Sequence, residues 1–265
     1  MIKLLQLAIK AIDEHLVMHM VLAKLRTIRD ESCNYFVSVI TGEKIRNMPG
    51  ILHDINEPCQ KATFGMGCFW ANDALFGATP GVLRTRVGYS GGTTPNPTYK
   101  NISDHTEVTE VDYDSTKVSY KELLDLFWAY HEYGFTTPIK KQYASLILYH
   151  SEEQKELAEL SLRKKMIAYN SKITTEILPA GTFYPAEDYH QKYRLQQHPL
   201  IYETLGLTSE LLQVSHAAAK LNGYVAGVGT KKDLENDLTK LGLPDAVVDY
   251  VRREWKENEG GTLYC

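Results

Sequence analysis

Residues 65–70 carry the clearest chemical signal in the sequence, which reads Gly-Met-Gly-Cys-Phe-Trp there. A helix predicted over residues 68–76 puts Cys68 in its first turn, where free N–H groups and the helix dipole lower the pKa of a thiol. The preceding glycines let a substrate approach closely, and Phe69 and Trp70 supply an apolar wall. Cys68 is therefore a candidate nucleophile that reacts as a thiolate. Since free cysteines are usually buried, an ordinary core cysteine is the alternative on these local features.

The other potential ligands and thiols do not form a metal-binding pattern. The four cysteines are widely spaced: Cys33, Cys59, Cys68 and Cys265. A small disulfide-rich secreted domain has a denser framework, and a zinc site has paired ligands, so the sequence indicates neither. His105 and His131 have no partner at metal-ligand spacing. We expect no metal or other cofactor, and a reducing compartment, the cytoplasm.

The first 30 residues have apolar positions at helical spacing, interleaved with basic residues. A mitochondrial presequence shares this pattern but is poor in acids, whereas this segment contains Asp13, Glu14 and Asp30. A helical extension is the preferred interpretation, and a mitochondrial presequence is the alternative.

Length and charge limit the classes of function. A chain of 265 residues can form one well-buried core with material left for extensions. The formal net charge of -4 gives no electrostatic reason to expect nucleic acid or an anionic membrane as a partner. No apolar run is long enough to span a bilayer. We expect a soluble monomer.

Strands and helices alternate irregularly after residue 61. Strands are predicted at residues 62–65, 82–89, 107–113, 144–149 and 173–178. Helices are predicted at residues 68–76, after a capping box of Ser119 and Glu122, and at residues 151–169 and 187–197. Without strict βαβ spacing, this order favours an α+β fold, a two-layer sandwich of a mixed sheet with helices.

The character of the chain changes beyond residue 207. Three short helices are predicted at residues 209–221, 231–241 and 245–257. The fold therefore has helical N- and C-terminal extensions. We divide the chain into an extension and linker (1–60), a catalytic domain (61–206) and a helical extension with a mobile, cysteine-bearing tail (207–265).

Further motifs follow residues 67–70 in a fixed order. They are residues 87–99 (Val-Gly-Tyr-Ser-Gly-Gly-Thr-Thr-Pro-Asn-Pro-Thr-Tyr), 105–107 (His-Thr-Glu), 119–128, 142–145 (Gln-Tyr-Ala-Ser) and 183–191. Together with Gly-Cys-Phe-Trp at residues 67–70, this set resembles the type A family of peptide methionine sulfoxide reductases. The resemblance covers roughly residues 60–200.

The resemblance implies a thiol-dependent reduction. Cys68 would attack the electrophilic sulfur of a methionine sulfoxide, and Glu107 would protonate the sulfoxide oxygen. Tyr99 and Tyr143 would hold that oxygen by hydrogen bonds. The collapse of the adduct would release methionine and leave a sulfenic acid on Cys68. The family also implies a preference for the S epimer of protein and peptide methionine sulfoxide.

The remaining site residues are assigned on the same basis. Phe69 and Trp70 would receive the methyl group of the substrate. Glu107 must stay protonated, which needs burial, and its parity with Val111 and Tyr113 favours burial. Glutamates are usually exposed, however, so a solvated Glu107 is the alternative on pattern alone.

The resolving cysteine departs from the family pattern, in which a glycine-rich tail after Asn-Gly-Tyr carries cysteine. Val225 stands at that place, and Cys265 is the cysteine downstream of it. We expect Cys265 to form a disulfide with Cys68, with Cys33 and Cys59 as alternatives, and a thioredoxin-like dithiol protein to reduce that disulfide. The family also commonly has an aspartate shortly before Gln142, and residues 132–141 contain none.

Two other functions remain open. Cys68 and His190 could be the nucleophile and base of a cysteine protease, although Cys68 is not in a papain-like Cys-Gly-x-Cys-Trp motif. A non-catalytic module that only binds methionine sulfoxide is the second alternative, because sites can be lost on a retained fold.

Overall fold

The computed structural model describes residues 50–131, 139–170, 173–261 and 263. These residues belong to a compact unit that begins at Gly50. The predicted N-terminal helix, Cys33 and Cys265 lie outside the described residues. None of the described helices is both long and apolar enough to cross a membrane.

A six-stranded mixed sheet lies at the centre of the unit, in the order β5-β4-β1-β3-β2-β6. Neighbouring strands are antiparallel, except that β4 and β5 are parallel. The strands are β1 (Gln60–Met66), β2 (Val82–Ser90), β3 (Thr106–Tyr113), β4 (Ser145–Tyr149), β5 (Glu176–Pro179) and β6 (Tyr184–Pro185). The predicted α+β class is confirmed, and the two-residue β6 is an additional strand.

Three longer helices accompany the sheet: α1 (Phe69–Ala78), α2 (Tyr120–Ala129) and α3 (Glu152–Tyr169). The predicted capping box is present, because the Ser119 hydroxyl accepts from the Glu122 backbone N–H and the Glu122 carboxylate accepts from the Ser119 backbone N–H. The Phe64 ring of β1 stacks on Phe76 of α1, with ring centroids 5.3 Å apart, and on Tyr120 of α2, with ring centroids 6.1 Å apart. The main core therefore forms between β1 and the helices α1 and α2.

The C-terminal extension is helical, as predicted. After α4 (Pro199–Thr204), which precedes it, the extension contains α5 (Leu211–Val214), α6 (His216–Tyr224), α7 (Lys231–Leu238) and α8 (Asp245–Asn258). The helix predicted at residues 209–221 is divided into α5 and α6, because the Ser215 hydroxyl caps a new helix by accepting from the Ala218 backbone N–H. The boundary between residues 206 and 207 stays a prediction.

The helix predicted at residues 187–197 is wrong. Two short 3₁₀ turns occur there instead, at Asp188–His190 and Leu195–Gln197. Lys192 between them has a left-handed backbone with φ 51°, and the buried Gln191 amide accepts from the Val87 backbone N–H and donates to the Val87 carbonyl. These contacts with β2 hold the segment in a conformation that a continuous helix does not allow.

Helix α6 packs directly on α1 at two glycines. A Cβ added to Gly77 would lie 2.2 Å from the Ala219 carbonyl oxygen, and one added to Gly223 would lie 2.4 Å from the Ala74 carbonyl oxygen. The Lys220 ammonium also donates to the Thr79 carbonyl at 2.7 Å, just beyond the end of α1. The C-terminal extension therefore fixes the helix that follows Cys68.

We expect Gly77→Ala to lower the free energy of unfolding by about 2 kcal/mol, because the added methyl group forces two helices apart. The gain in helix propensity, about 1 kcal/mol, only partly offsets this cost. Urea unfolding measures the change. Gly181→Ala is the matched control, since its Cβ would meet nothing within 4 Å. Equal stabilities of the two variants would contradict the tight α1–α6 contact.

Candidate active site

Cys68 is the N-cap residue of α1, with an extended backbone (φ -62°, ψ 120°). The preceding Gly67 has φ 77°, and a Cβ there would meet nothing within 4 Å. Glycine is therefore needed at this position for the turn from β1 into α1, because its positive φ is strained for other residues. The first turn of α1 contains no acidic residue. The helix N-terminus thus faces Cys68 with its favourable dipole unopposed.

The sulfur of Cys68 is disulfide-bonded. Cys59, the other cysteine within the described residues, is free and exposed.

Glu107 lies on β3 and is only 1% exposed, so the solvated alternative is wrong. Its carboxyl accepts the backbone N–H of Phe69 at 3.2 Å and the side-chain amide N–H of Gln142 at 2.7 Å. Burial raises the pKa of Glu107, and the two hydrogen bonds offset only part of that increase. The residue that follows Cys68 is thus in direct contact with a carboxyl group that favours its protonated form.

Tyr143 ends the 3₁₀ turn Lys141–Tyr143, next to Gln142. Burial, then the proximity of Glu107 and Tyr99, raises the pKa of Tyr143 to about 12. Tyr99 itself is 37% exposed, at the surface of the site. The structure therefore brings Tyr143 close to both Glu107 and Tyr99.

The two predicted aromatic residues lie at the start of α1. Phe69 is buried in an apolar cluster with Val87 and Tyr89. Trp70 stacks on Tyr193, with ring centroids 3.7 Å apart and planes inclined by 5°. Both rings are thus held by partners from other parts of the chain, next to the cysteine.

Glu187 is a further candidate site residue, which precedes the 3₁₀ turn Asp188–His190 and does not begin the helix predicted at residues 187–197. Its carboxylate accepts the Tyr89 hydroxyl at 2.8 Å and the Tyr99 backbone N–H at 3.1 Å. Partial burial opposes ionisation, but the hydrogen bonds to its own backbone, Tyr89 and Tyr99 prevail and lower the pKa of Glu187. This carboxylate therefore stays charged and holds the segment that carries Tyr99. The position of Glu187 within the motif at residues 183–191 is the sequence feature that could have identified it as a candidate site residue.

A buried ion pair connects α1 with the same segment. The Lys192 ammonium lies 3.1 Å from the Asp73 carboxylate, and both side chains are inaccessible to solvent. Lys192 also donates to the Thr85 carbonyl at 2.6 Å, and the Thr85 hydroxyl donates to Asp73 at 2.5 Å. Helix α1 is thus fixed to β2 and to the segment after β6.

A cavity of about 780 Å³ lies against Cys68 and is lined by the C-terminal end of the described chain. Gly67 and Cys68 contribute to its wall, and so do Gly260, Gly261 and Leu263. Leu263 also packs against the main core. Residues 260, 261 and 263 and Cys68 therefore line the same cavity.

Residues 60–221 match the protein family described as Peptide methionine sulfoxide reductase. The chain is 50% identical over 250 residues to the Drosophila melanogaster peptide methionine sulfoxide reductase, covering 94% of this chain and 97% of that protein. It is 42% identical over 177 residues to the Arabidopsis thaliana peptide methionine sulfoxide reductase A5, covering 64% and 70% of the two chains. Methionine sulfoxide reductase A of Corynebacterium diphtheriae, a solved structure, is 35% identical, covers 57% of this chain and 82% of that chain, and has a TM-score of 0.47.

We expect Gln142→Leu to raise the pKa of Glu107 further, because it removes a hydrogen bond that favours the carboxylate. A carboxyl ¹³C NMR titration, with the signal assigned by Glu107→Gln, measures this change. Gln197→Leu is the control, since the Gln197 amide donates to the Tyr193 carbonyl instead. An unchanged Glu107 titration in Gln142→Leu would show that the contact has no electrostatic role.

Proposed function

Because this chain belongs to the peptide methionine sulfoxide reductase family, we propose that Cys68, Glu107, Tyr99 and Tyr143 reduce a methionine sulfoxide side chain. The chain is accordingly an oxidoreductase that acts on peptides. The hydrogen bond from the Phe69 backbone N–H to the buried Glu107 carboxyl carries the proposal, because it joins the proton donor to the residue next to the nucleophile. Membership of this family gives no support to a cysteine protease or a non-catalytic module.

The substrate sulfoxide has an apolar methyl group and a polar oxygen, and the site has a matching surface for each. Phe69 and Trp70 receive the methyl group. The hydroxyls of Tyr99 and Tyr143 donate hydrogen bonds to the oxygen, since phenols remain protonated at neutral pH. The buried carboxyl of Glu107 faces the same oxygen as an acid. This division orients the sulfur towards Cys68.

The reaction transfers one oxygen atom from substrate to enzyme. The helix N-terminus favours the thiolate of Cys68, which attacks the sulfoxide sulfur. Glu107 gives its proton to the oxygen, which otherwise would have to leave as an oxide. The oxygen moves to Cys68, so methionine leaves as a thioether and Cys68 becomes a sulfenic acid. Glu107 regains a proton from solvent before the next cycle.

Cys265 is proposed as the resolving residue. Leu263 lines the same cavity as Cys68, and two further residues span about 7 Å at most. The Cys265 thiol would attack the sulfenic sulfur, so that a disulfide forms and water leaves. Gly260 has φ 73°, which permits the turn from α8 into this tail. Cys59 is free and exposed, which makes it the poorer alternative.

A dithiol protein of the thioredoxin type completes the cycle, because a protein disulfide is reduced by thiolate attack through a mixed disulfide. Oxidised proteins and peptides are the proposed substrates, with preference for the S epimer at sulfur. The cytoplasm is the proposed compartment, since few and widely spaced cysteines suit a reducing environment. The alternative is a mitochondrial location of the protein, with the first 30 residues as its presequence.

We expect Glu107→Gln to lower the turnover of a methionine sulfoxide peptide by about 10² to 10⁴-fold, because the amide has no proton to give. In the wild type, the rate should fall as the pH rises through the raised pKa of Glu107, since only the protonated acid reacts. This alkaline decrease should be absent from the residual activity of Glu107→Gln. The pH dependence of kcat/KM with dithiothreitol measures both effects. Wild type without turnover would exclude the proposed function.

The cysteine variants separate chemistry from recycling. We expect Cys68→Ser to be inactive with every reductant, because it lacks the thiolate. Cys265→Ser should retain turnover with dithiothreitol. With thioredoxin it should lose about 90% of its turnover or more, because its sulfenic acid has no resolving thiol. Cys59→Ser, at an exposed cysteine, is the matched control. Full thioredoxin-dependent activity in Cys265→Ser would remove the resolving role alone.

A further inference from the structure

His190 is the residue on which the aromatic side chains of the site converge. It ends the 3₁₀ turn Asp188–His190 and is 1% exposed. Its ring centroid lies 4.6 Å from that of Tyr99 and 5.1 Å from that of Phe69. It therefore contacts both the segment that carries Tyr99 and the start of α1.

One hydrogen bond defines the protonation state of this ring. The indole N–H of Trp70 donates to Nδ1 of His190 at 3.1 Å. An indole N–H can only donate, so Nδ1 must be the unprotonated nitrogen and a neutral His190 carries its proton on Nε2. Nε2 is buried, makes no hydrogen bond with the described residues, and lies 3.9 Å from a carboxylate oxygen of Glu187.

Trp70 and Phe69 are held in different ways, and only Trp70 uses the hydrogen bond to His190. Phe69 is enclosed by an apolar cluster, whereas Trp70 is partly exposed and packs at the edge of that cluster. The indole is held on its face by Tyr193 and at its polar edge by His190. The stacking on Tyr193 restrains the plane of the indole, and the hydrogen bond to His190 restrains the direction of its N–H.

We propose that His190 is a positioning residue of the reductase, which as a neutral imidazole fixes the Trp70 indole in the orientation that receives the substrate methyl group. The proposal rests on the proposed function. It differs from the protease hypothesis, because His190 acts on Trp70 and accepts no proton from Cys68.

Protonation of His190 would end this role. An imidazolium has N–H groups at both nitrogens and no acceptor for the indole. The titratable groups that face the ring are Glu187 and Tyr189 on its own segment and Tyr99 on the segment before β3. Helix α1 contributes the uncharged Phe69 and Trp70. Burial lowers the pKa of His190, and the charge of Glu187 opposes the decrease, so the neutral form is favoured down to mildly acid pH.

Two substitutions separate the hydrogen bond from simple packing. His190→Leu removes the acceptor, and we expect kcat/KM for a methionine sulfoxide peptide to fall about tenfold, as for the loss of one buried hydrogen bond. His190→Asn can offer its amide oxygen near the position of Nδ1 and does not titrate. It should retain more of kcat/KM than His190→Leu. The decrease in kcat/KM that we expect for the wild type at acid pH should be smaller in His190→Asn.

The Trp70→Phe background provides the control. Phenylalanine has no indole N–H, so the hydrogen bond to His190 is already absent in Trp70→Phe. Adding His190→Leu to this variant should therefore change kcat/KM by less than about twofold. The indole N–H signal of Trp70 in a ¹H–¹⁵N spectrum, assigned with Trp70→Phe, should shift in His190→Leu and also in the wild type at acid pH.

Two results would overturn the proposal: wild-type kcat/KM and pH dependence in His190→Leu, or an undiminished effect of His190→Leu in the Trp70→Phe background. A wild type that reduces no sulfoxide would instead exclude the proposed function. In that case an indole signal that does not change in His190→Leu would separately exclude the His190–Trp70 contact.

Discussion

The buried ion pair between Asp73 and Lys192 joins the two parts of the chain that make the site. Asp73 lies on the helix that presents Cys68, and Lys192 follows directly on the segment that carries Glu187 and His190. Because leaving either charge buried without its partner is costly, the two parts keep one relative position. The glycine contacts between α1 and α6 act on the same helix from its other end. The site is therefore held by contacts that lie outside it.

Two glutamates of the site have opposite charge states for clear physical reasons. Burial dominates at Glu107 and favours the protonated acid, whereas several hydrogen bonds dominate at Glu187 and favour the carboxylate. The first suits proton donation and the second suits an anchor for Tyr99. Residues 132–141 contain no aspartate, and the Gln142 amide is a direct partner of the acid. A neutral partner stabilises a carboxylate less than a cation does, so the acid keeps its proton.

Much of the fold and part of the site follow from local features of the sequence. The glycine turn, the helix after Cys68 and the capping box at Ser119 depend on neighbouring residues, and the structure has each of them. The alternation along β3 indicated that Glu107 faces the interior, which its burial confirms. Each of these features depends on residues that are close in the sequence. The sequence therefore predicts them without any knowledge of tertiary contacts.

The remaining features depend on residues far apart in the chain. The predicted helix at residues 187–197 is absent because Lys192 and Gln191 bond to Asp73 and β2, more than 100 residues away. The partners of Glu187 and His190 were likewise undetermined, since a carboxylate or an imidazole acquires its charge and its hydrogen bonds from what surrounds it. The sequence by itself thus determined the candidate nucleophile and its helix. Only the tertiary structure decided which buried groups hold its neighbours, because those choices arise from desolvation and from contacts between distant segments.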